Sequence, residues 1–140
     1  MNNETKFAKT VILVDDFLKI TGNHFKALSL DTHDGKGKTP NGVRINALIM
    51  EDNAPAGFYG LKKDGITPRE GVKFQNITLT IINGNPSEIF QELKVGDEFS
   101  VFDFDPENSY YINYSLILRF RRCEHYHKKG ANNNDNAAKN

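Results

Sequence analysis

The stretch that most limits the fold is residues 97–122, DEFSVFDFDPENSYYINYSLILRFRR, which reads as two strands around a short polar loop ending in Tyr110 and Tyr111. In the second strand Ile112, Tyr114, Leu116, Leu118 and Phe120 point one way, and Tyr111, Asn113, Ser115, Arg119 and Arg121 the other. A two-residue period of this kind belongs to a sheet with one face in a core. The opposite face offers an aromatic ring, hydrogen-bonding groups and two guanidiniums. Flat rings for bases and positive charge for phosphates are what a surface for single-stranded nucleic acid requires.

The rest of the chain has the same β character. Residues 1–9 are mostly polar and read as a flexible arm ahead of a domain spanning 10–127. The run TVILV at 10–14 favours a strand, and DDFLKI at 15–20 fits either a helical turn or an irregular continuation of it. Strands over 24–31 and 43–50 flank the loop THDGKGKTPNG and make a hairpin with a long basic tip. Val43, Ile45, Ala47 and Ile49 face inward there, and Arg44 and Asn46 outward. Residues 51–71 hold too much Gly and Pro for a regular element.

A third strand is expected over 72–82, with Ile77, Leu79 and Ile81 on one face. Phe74 then falls on the other, beside Asn76, Thr78 and Thr80, unless a bulge switches the phase. It is a stacking candidate in the first case and core in the second. A helix of about two turns starts near Ser87, carries Ile89, Phe90 and Leu93 on one side and stops at Gly96. Strands over 98–104 and 111–122 follow, and residues 128–140, KKGANNNDNAAKN, have nothing to bury and are expected to be disordered.

Composition narrows the function. A chain of 140 residues has room for one domain with a sizeable core. Its net charge is zero, which argues against coating duplex DNA by bulk electrostatics, but the charge is segregated. Residues 97–107 hold five acids and no Lys or Arg, whereas 119–129 hold five basic residues against Glu124. A single Cys123 excludes an internal disulfide, and the start of the chain lacks the pattern of a secretory signal, so a cytoplasmic location is expected. The longest apolar run, 11–14, is far too short to cross a membrane, which needs about 20 residues.

The order strand, strand, strand, helix, strand, strand is that of the OB-fold, a five-stranded Greek-key barrel that binds oligonucleotides or oligosaccharides. The expected fold is therefore all-β, with one short helix between strands 3 and 4. Such barrels bind through strands 2 and 3 and through the loops joining strands 1 to 2 and 4 to 5. In this chain those loops are the ones whose composition already stands out, 32–42 with Lys36 and Lys38, and 105–111 with the tyrosine pair.

On element order, on the helix-to-strand junction LKVGDEFSVFDF at 93–104 and on the aromatic loop before the last strand, the chain resembles the OB-fold single-stranded DNA-binding proteins, in particular the small ones encoded by conjugative plasmids and phages of Gram-positive bacteria. The resemblance covers residues 20–125. It implies binding without strong sequence preference, no enzymatic activity and no cofactor. Two departures carry consequences. The tail has a single acid, Asp135, so recruitment of repair enzymes by an acidic tail is not expected, and with no Trp in the chain Tyr and Phe must supply the stacking.

The candidate nucleic-acid-binding residues are Lys36, Lys38, Arg44, Tyr59, Phe74, Tyr110, Tyr111, Arg119 and Arg121. Each has a plainer reading. The tyrosines can close a turn and pack on the rim, the arginines can pair with acids such as Asp103 on the neighbouring strand, and loop lysines are often only solvated. The partner expected is single-stranded DNA, with RNA open on the same platform, together with self-association through the N-terminal arm and the apolar run at 7–14. A protein-interaction or structural β module is the alternative from another class.

Catalytic and metal motifs fail on inspection. Gly37-Lys38-Thr39 ends like a phosphate-binding loop, but Thr32 stands where its first Gly is needed. Asp103-x-Asp105 opens like a calcium loop, yet Asn108 and Tyr114 replace its Gly and Glu. Cys123, His125 and His127 lack a clear fourth ligand for zinc.

Overall fold

The alternation in 43–49 becomes strand β2 (Gly42–Ile49), whose Val43, Ile45, Ala47 and Ile49 are buried while Arg44 and Asn46 face out. In the computed structural model, which describes residues 12–37, 39–113 and 115–127, β2 lies between β1 (Phe25–His33) and β3 (Asn76–Ile81). The strands β4 (Glu98–Phe104), β5 (Tyr110–Ile112) and β6 (Ser115–His125) complete a sheet of order β3-β2-β1-β4-β6-β5. An additional pairing of β3 with β6 brings β1, β2, β3, β6 and β4 into a near-closed ring. That closing pair is parallel, with Leu79, Thr80 and Ile81 opposite Leu118, Arg119 and Phe120; every other pairing is antiparallel.

Phe25, Phe99, Phe120, Ile45, Leu79, Ile81 and Leu118 fill the ring. Helix α2 (Pro86–Glu92) runs between β3 and β4 and adds Ile89, with Leu93 just beyond it, to the same core. Pro86 in its first turn has no amide hydrogen to leave unpaired there, which suits it to that position.

Several expectations need correction. The run at 10–14 does not make a described strand: Val14 opens a helix, α1 (Val14–Ile20), with Asp15 and Asp16 in the first turn and Lys19 in the last, the charge order that the helix dipole favours. The described residues thus hold two short α-helices, not one. Strand β3 starts at Asn76, not at 72, because residues 72–75 form a turn closed by Gln75 N–H donating to the Val72 carbonyl at 3.0 Å. The strand expected over 111–122 is broken after Ile112, where Asn113 has φ of 50° and the chain folds back as the β5–β6 hairpin; Tyr114, expected to face the core, lies outside the described residues. Ile112 is therefore exposed, not core. The arm over 1–9, the tail over 128–140 and Lys38 lie outside the described residues.

The β1–β4 junction is short, with only Phe25 and Lys26 opposite Phe99 and Glu98. Asn23 extends it. Its side-chain amide donates to the Val101 carbonyl at 2.8 Å and accepts from the Val101 N–H at 2.9 Å, as a strand backbone would. Its φ of 47° is one that Asn tolerates better than most residues. At the same end His24 lies between Glu51, 2.7 Å from Nδ1, and Glu98 at Nε2, with its ring stacked on Tyr126 at 3.5 Å.

Candidate functional site

Strand register sets the outer face of the ring. Asp31 on β1 lies opposite Arg44 on β2, Arg44 opposite Thr80 on β3, and Thr80 opposite Arg119 on β6. One row of side chains thus crosses four strands, with guanidiniums two strands apart. Neighbouring strands are about 4.8 Å apart, so the Arg44 and Arg119 backbones are about 10 Å apart. Between them Thr80 is only 4% exposed although it belongs to the outer face.

Arg119 is held by the loop after β4. Asp105 caps a 3-10 turn at Pro106–Asn108 by accepting from the amides of Glu107 and Asn108. The Ser109 hydroxyl accepts from the Arg119 N–H at 2.9 Å, and the Asn108 carbonyl accepts from Arg119 Nη1 at 2.8 Å. The guanidinium lies 5.6 Å from the centre of the Tyr110 ring, within cation–π range. Its Nε is buried and has no partner among the described residues. Among the described residues Arg119 therefore has no acidic partner, only a carbonyl and an aromatic face.

A second row lies beside the first. Asn46 donates to Ser29 Oγ at 2.9 Å and accepts from Thr78 Oγ1 at 3.1 Å, so its amide is satisfied at both ends. Where the starts of β3 and β6 diverge, a groove of about 920 Å³ opens, lined among others by Phe17, Asn46, Thr78, Tyr111 and Ile117. Thr39 of the β1–β2 loop donates to Asn108 Oδ1 at 2.7 Å, so this loop and the β4–β5 loop meet beside Arg119.

The residues expected from sequence are not all together. Arg44, Arg119 and Tyr110 share the outer face. The hairpin break means that Tyr110, paired with Ile117, is on the side of Arg119, whereas Tyr111, paired with Leu116, is on the other and lines the groove. Arg121 is bound by Asp105 at 2.7 Å, and Arg122 by Asp103 and Glu124. Burial pushes the Asp105 carboxyl up, but Asn108 and the Arg121 guanidinium more than offset this and hold it below the usual range.

Lys36 is exposed in the loop that carries Thr39. Phe74 is 58% exposed at the second inner position of the 72–75 turn, with φ of 65° and Lys73 Nζ 5.1 Å from its ring. The extended run from Asn76 to Thr80 alone separates this turn from the Thr80 row by about 13 Å. Tyr59 is half-buried beside Asp52, with its hydroxyl inside; burial and the Asp52 carboxylate raise its pKa. Phe58, edge-on to it at 5.1 Å, is the more exposed ring.

No protein-family model, curated protein or solved structure matches the chain. The site is defined by its own geometry. Asn46 and Thr78 were legible as outward strand positions, whereas Ser29 faces out only because a bulge between Ala27 and Ser29 shifts the phase of β1; none carries a signal until register aligns them. His33 was missed because the first strand was expected to end at 31; it runs two residues further and sets His33 on the face of Asp31. Among the described residues no helix is long and apolar enough to cross a membrane. The Cys123 thiol is pushed up to about 11, by burial first and by Glu92 second, so it stays protonated and unreactive at neutral pH.

Proposed function

We propose that the protein is a non-enzymatic OB-fold module that binds single-stranded DNA with little sequence preference, through stacking and phosphate contacts. The five-strand ring, the parallel closing pair and the helix between β3 and β4 support the OB reading. The observation that carries the function is the Arg44–Thr80–Arg119 row with Tyr110 at its edge. It pairs two guanidiniums that have no described salt bridge with an exposed ring, so their charge is left for a phosphate.

Indifference to sequence has its own support. The Ser29–Asn46–Thr78 ladder fixes the Asn46 amide and uses one of its N–H groups and one of its oxygen lone pairs internally, which leaves fewer groups to read a base edge. One such domain covers on the order of 4 to 16 nucleotides. Service in plasmid transfer or phage DNA metabolism, in the cytoplasm, and self-association through the N-terminal arm complete the proposal.

The test is fluorescence anisotropy of labelled 30-nucleotide single-stranded DNA, single-stranded RNA and duplex DNA at about 50 and 200 mM salt. Preference for a single strand over the duplex, weakening steeply with salt, is the expected result, and the RNA arm decides the polymer. Absence of binding at low salt overturns the reading.

One feature favours the protein-interaction alternative. Residues 60–69 form a small projecting hairpin, bridged at Leu61 and Pro68, that exposes Leu61 and Ile66, the latter by 80%. If this hairpin is an interface anchor, replacing Ile66 with Ser abolishes capture of a protein partner and leaves DNA retention unchanged.

A further inference from the structure

We infer that His33 is a third phosphate contact of this site, recruited by protonation, so that nucleic-acid binding takes up a proton. The inference rests on the phosphate-binding reading above and assigns a role to a residue outside the Arg44–Arg119 row.

His33 ends β1 on the same face as Asp31 and lies opposite Gly42. Gly42 has no side chain to fill the position across from it. Only glycine fits there, since a Cβ would run into the Ile81 carbonyl. That carbonyl occupies the place of a side chain, so no side chain stands across from the imidazole, which lies diagonal to Arg44 on the outer face at a spacing of about 7–8 Å between backbones.

The charged groups around it come from three sides. Arg44 faces it from β2, Arg119 from β6 and Asp34 from the start of the loop, while Asp31 on its own strand is opposite Arg44. Burial first, then Arg119 and Arg44, hold the imidazole below the ordinary histidine range, and Asp34 offsets part of this. In the free protein burial first, and the two guanidiniums second, thus favour the neutral imidazole.

A phosphate bound at the row reverses that balance. It cancels the positive field and supplies an acceptor, and both changes favour the imidazolium. Linkage then fixes the sign. Because the complex holds a proton that the free protein lacks, affinity rises as pH falls, by at most about tenfold per pH unit for one proton.

The experiment measures anisotropy of a labelled 30-nucleotide thymidine oligomer, at constant ionic strength, from pH 8 to pH 5.5. The native chain is expected to bind about 3- to 10-fold tighter at the acid end. His33→Gln should keep the affinity seen at pH 8 and lose the rise. His33→Lys, charged throughout, should bind at pH 8 about as tightly as the native chain does at pH 5.5, and circular dichroism verifies that both variants fold. A flat profile for a native chain that binds, or an undiminished rise in His33→Gln, overturns this inference alone. Absence of binding at every pH overturns it together with the reading beneath it.

Discussion

At the scale of single residues, the arginines that look alike in the sequence divide by their partners. Arg119 is held by a carbonyl and a ring, and Arg121 by the carboxylate of Asp105, whose side chain is 5% exposed. Their substitutions should separate. Tyr110→Ala removes the ring beside Arg119 and is expected to cost roughly 1 to 3 kcal/mol of single-strand binding with little change in stability. Arg121→Ala should leave binding nearly intact and destabilise the fold by about 1 to 3 kcal/mol, because it strips a partner from a buried carboxylate. Paired anisotropy and urea titrations verify the contrast. Phe74 makes a second case. An exposed phenylalanine in the left-handed region, with φ of 65°, is strained where glycine is not. Phe74→Gly should raise stability by about 1 kcal/mol. If single-strand affinity falls at the same time, the strain is kept for binding; if affinity is unchanged, Phe74 is outside the path.

At the scale of elements, what alternates was legible and what interrupts was not. The inward set of β2 and the span of β4 follow from period and punctuation. The β5–β6 hairpin does not, because Tyr111 to Phe120 keep their alternation straight through the turn and no Gly marks it. That single break exchanged the roles of Tyr110 and Tyr111. Helix α1 was half legible, since its acids and lysine suit a helix while Val14 belongs to a strand-like run. Nor does composition show that Asn23 stands in for strand backbone at the short β1–β4 junction. Asn23→Ala loses both hydrogen bonds to Val101 and leaves a left-handed φ to a residue that disfavours it. It should cost about 2 to 3 kcal/mol in chemical denaturation. Asn23→Gly, which keeps only the backbone freedom, should recover part of the loss.

At the scale of the whole molecule, a net charge of zero conceals two successive titrations, both of which lower stability as pH falls. His33, held below its unfolded value, costs stability as pH falls through about 6.5, where the unfolded chain begins to take up a proton that the fold resists. Asp105, Asp52 and Glu51 are all held below their ordinary range: burial pushes each up and hydrogen bonds more than offset it. Their contribution is complete above about pH 4 and is lost as pH falls through the lowered values. Thermal melts from pH 8 to pH 3 should therefore decline in two stages, with only the first removed by His33→Gln.

The hydrogen bond from Thr39 to Asn108 also has a dynamic side. It ties the β1–β2 loop to the β4–β5 loop beside Arg119, so the motion of one is shared by the other. Thr39→Val, which keeps the side chain's shape and removes its hydroxyl, should loosen both at once, and amide hydrogen exchange should quicken at Asn108 as well as at Lys36.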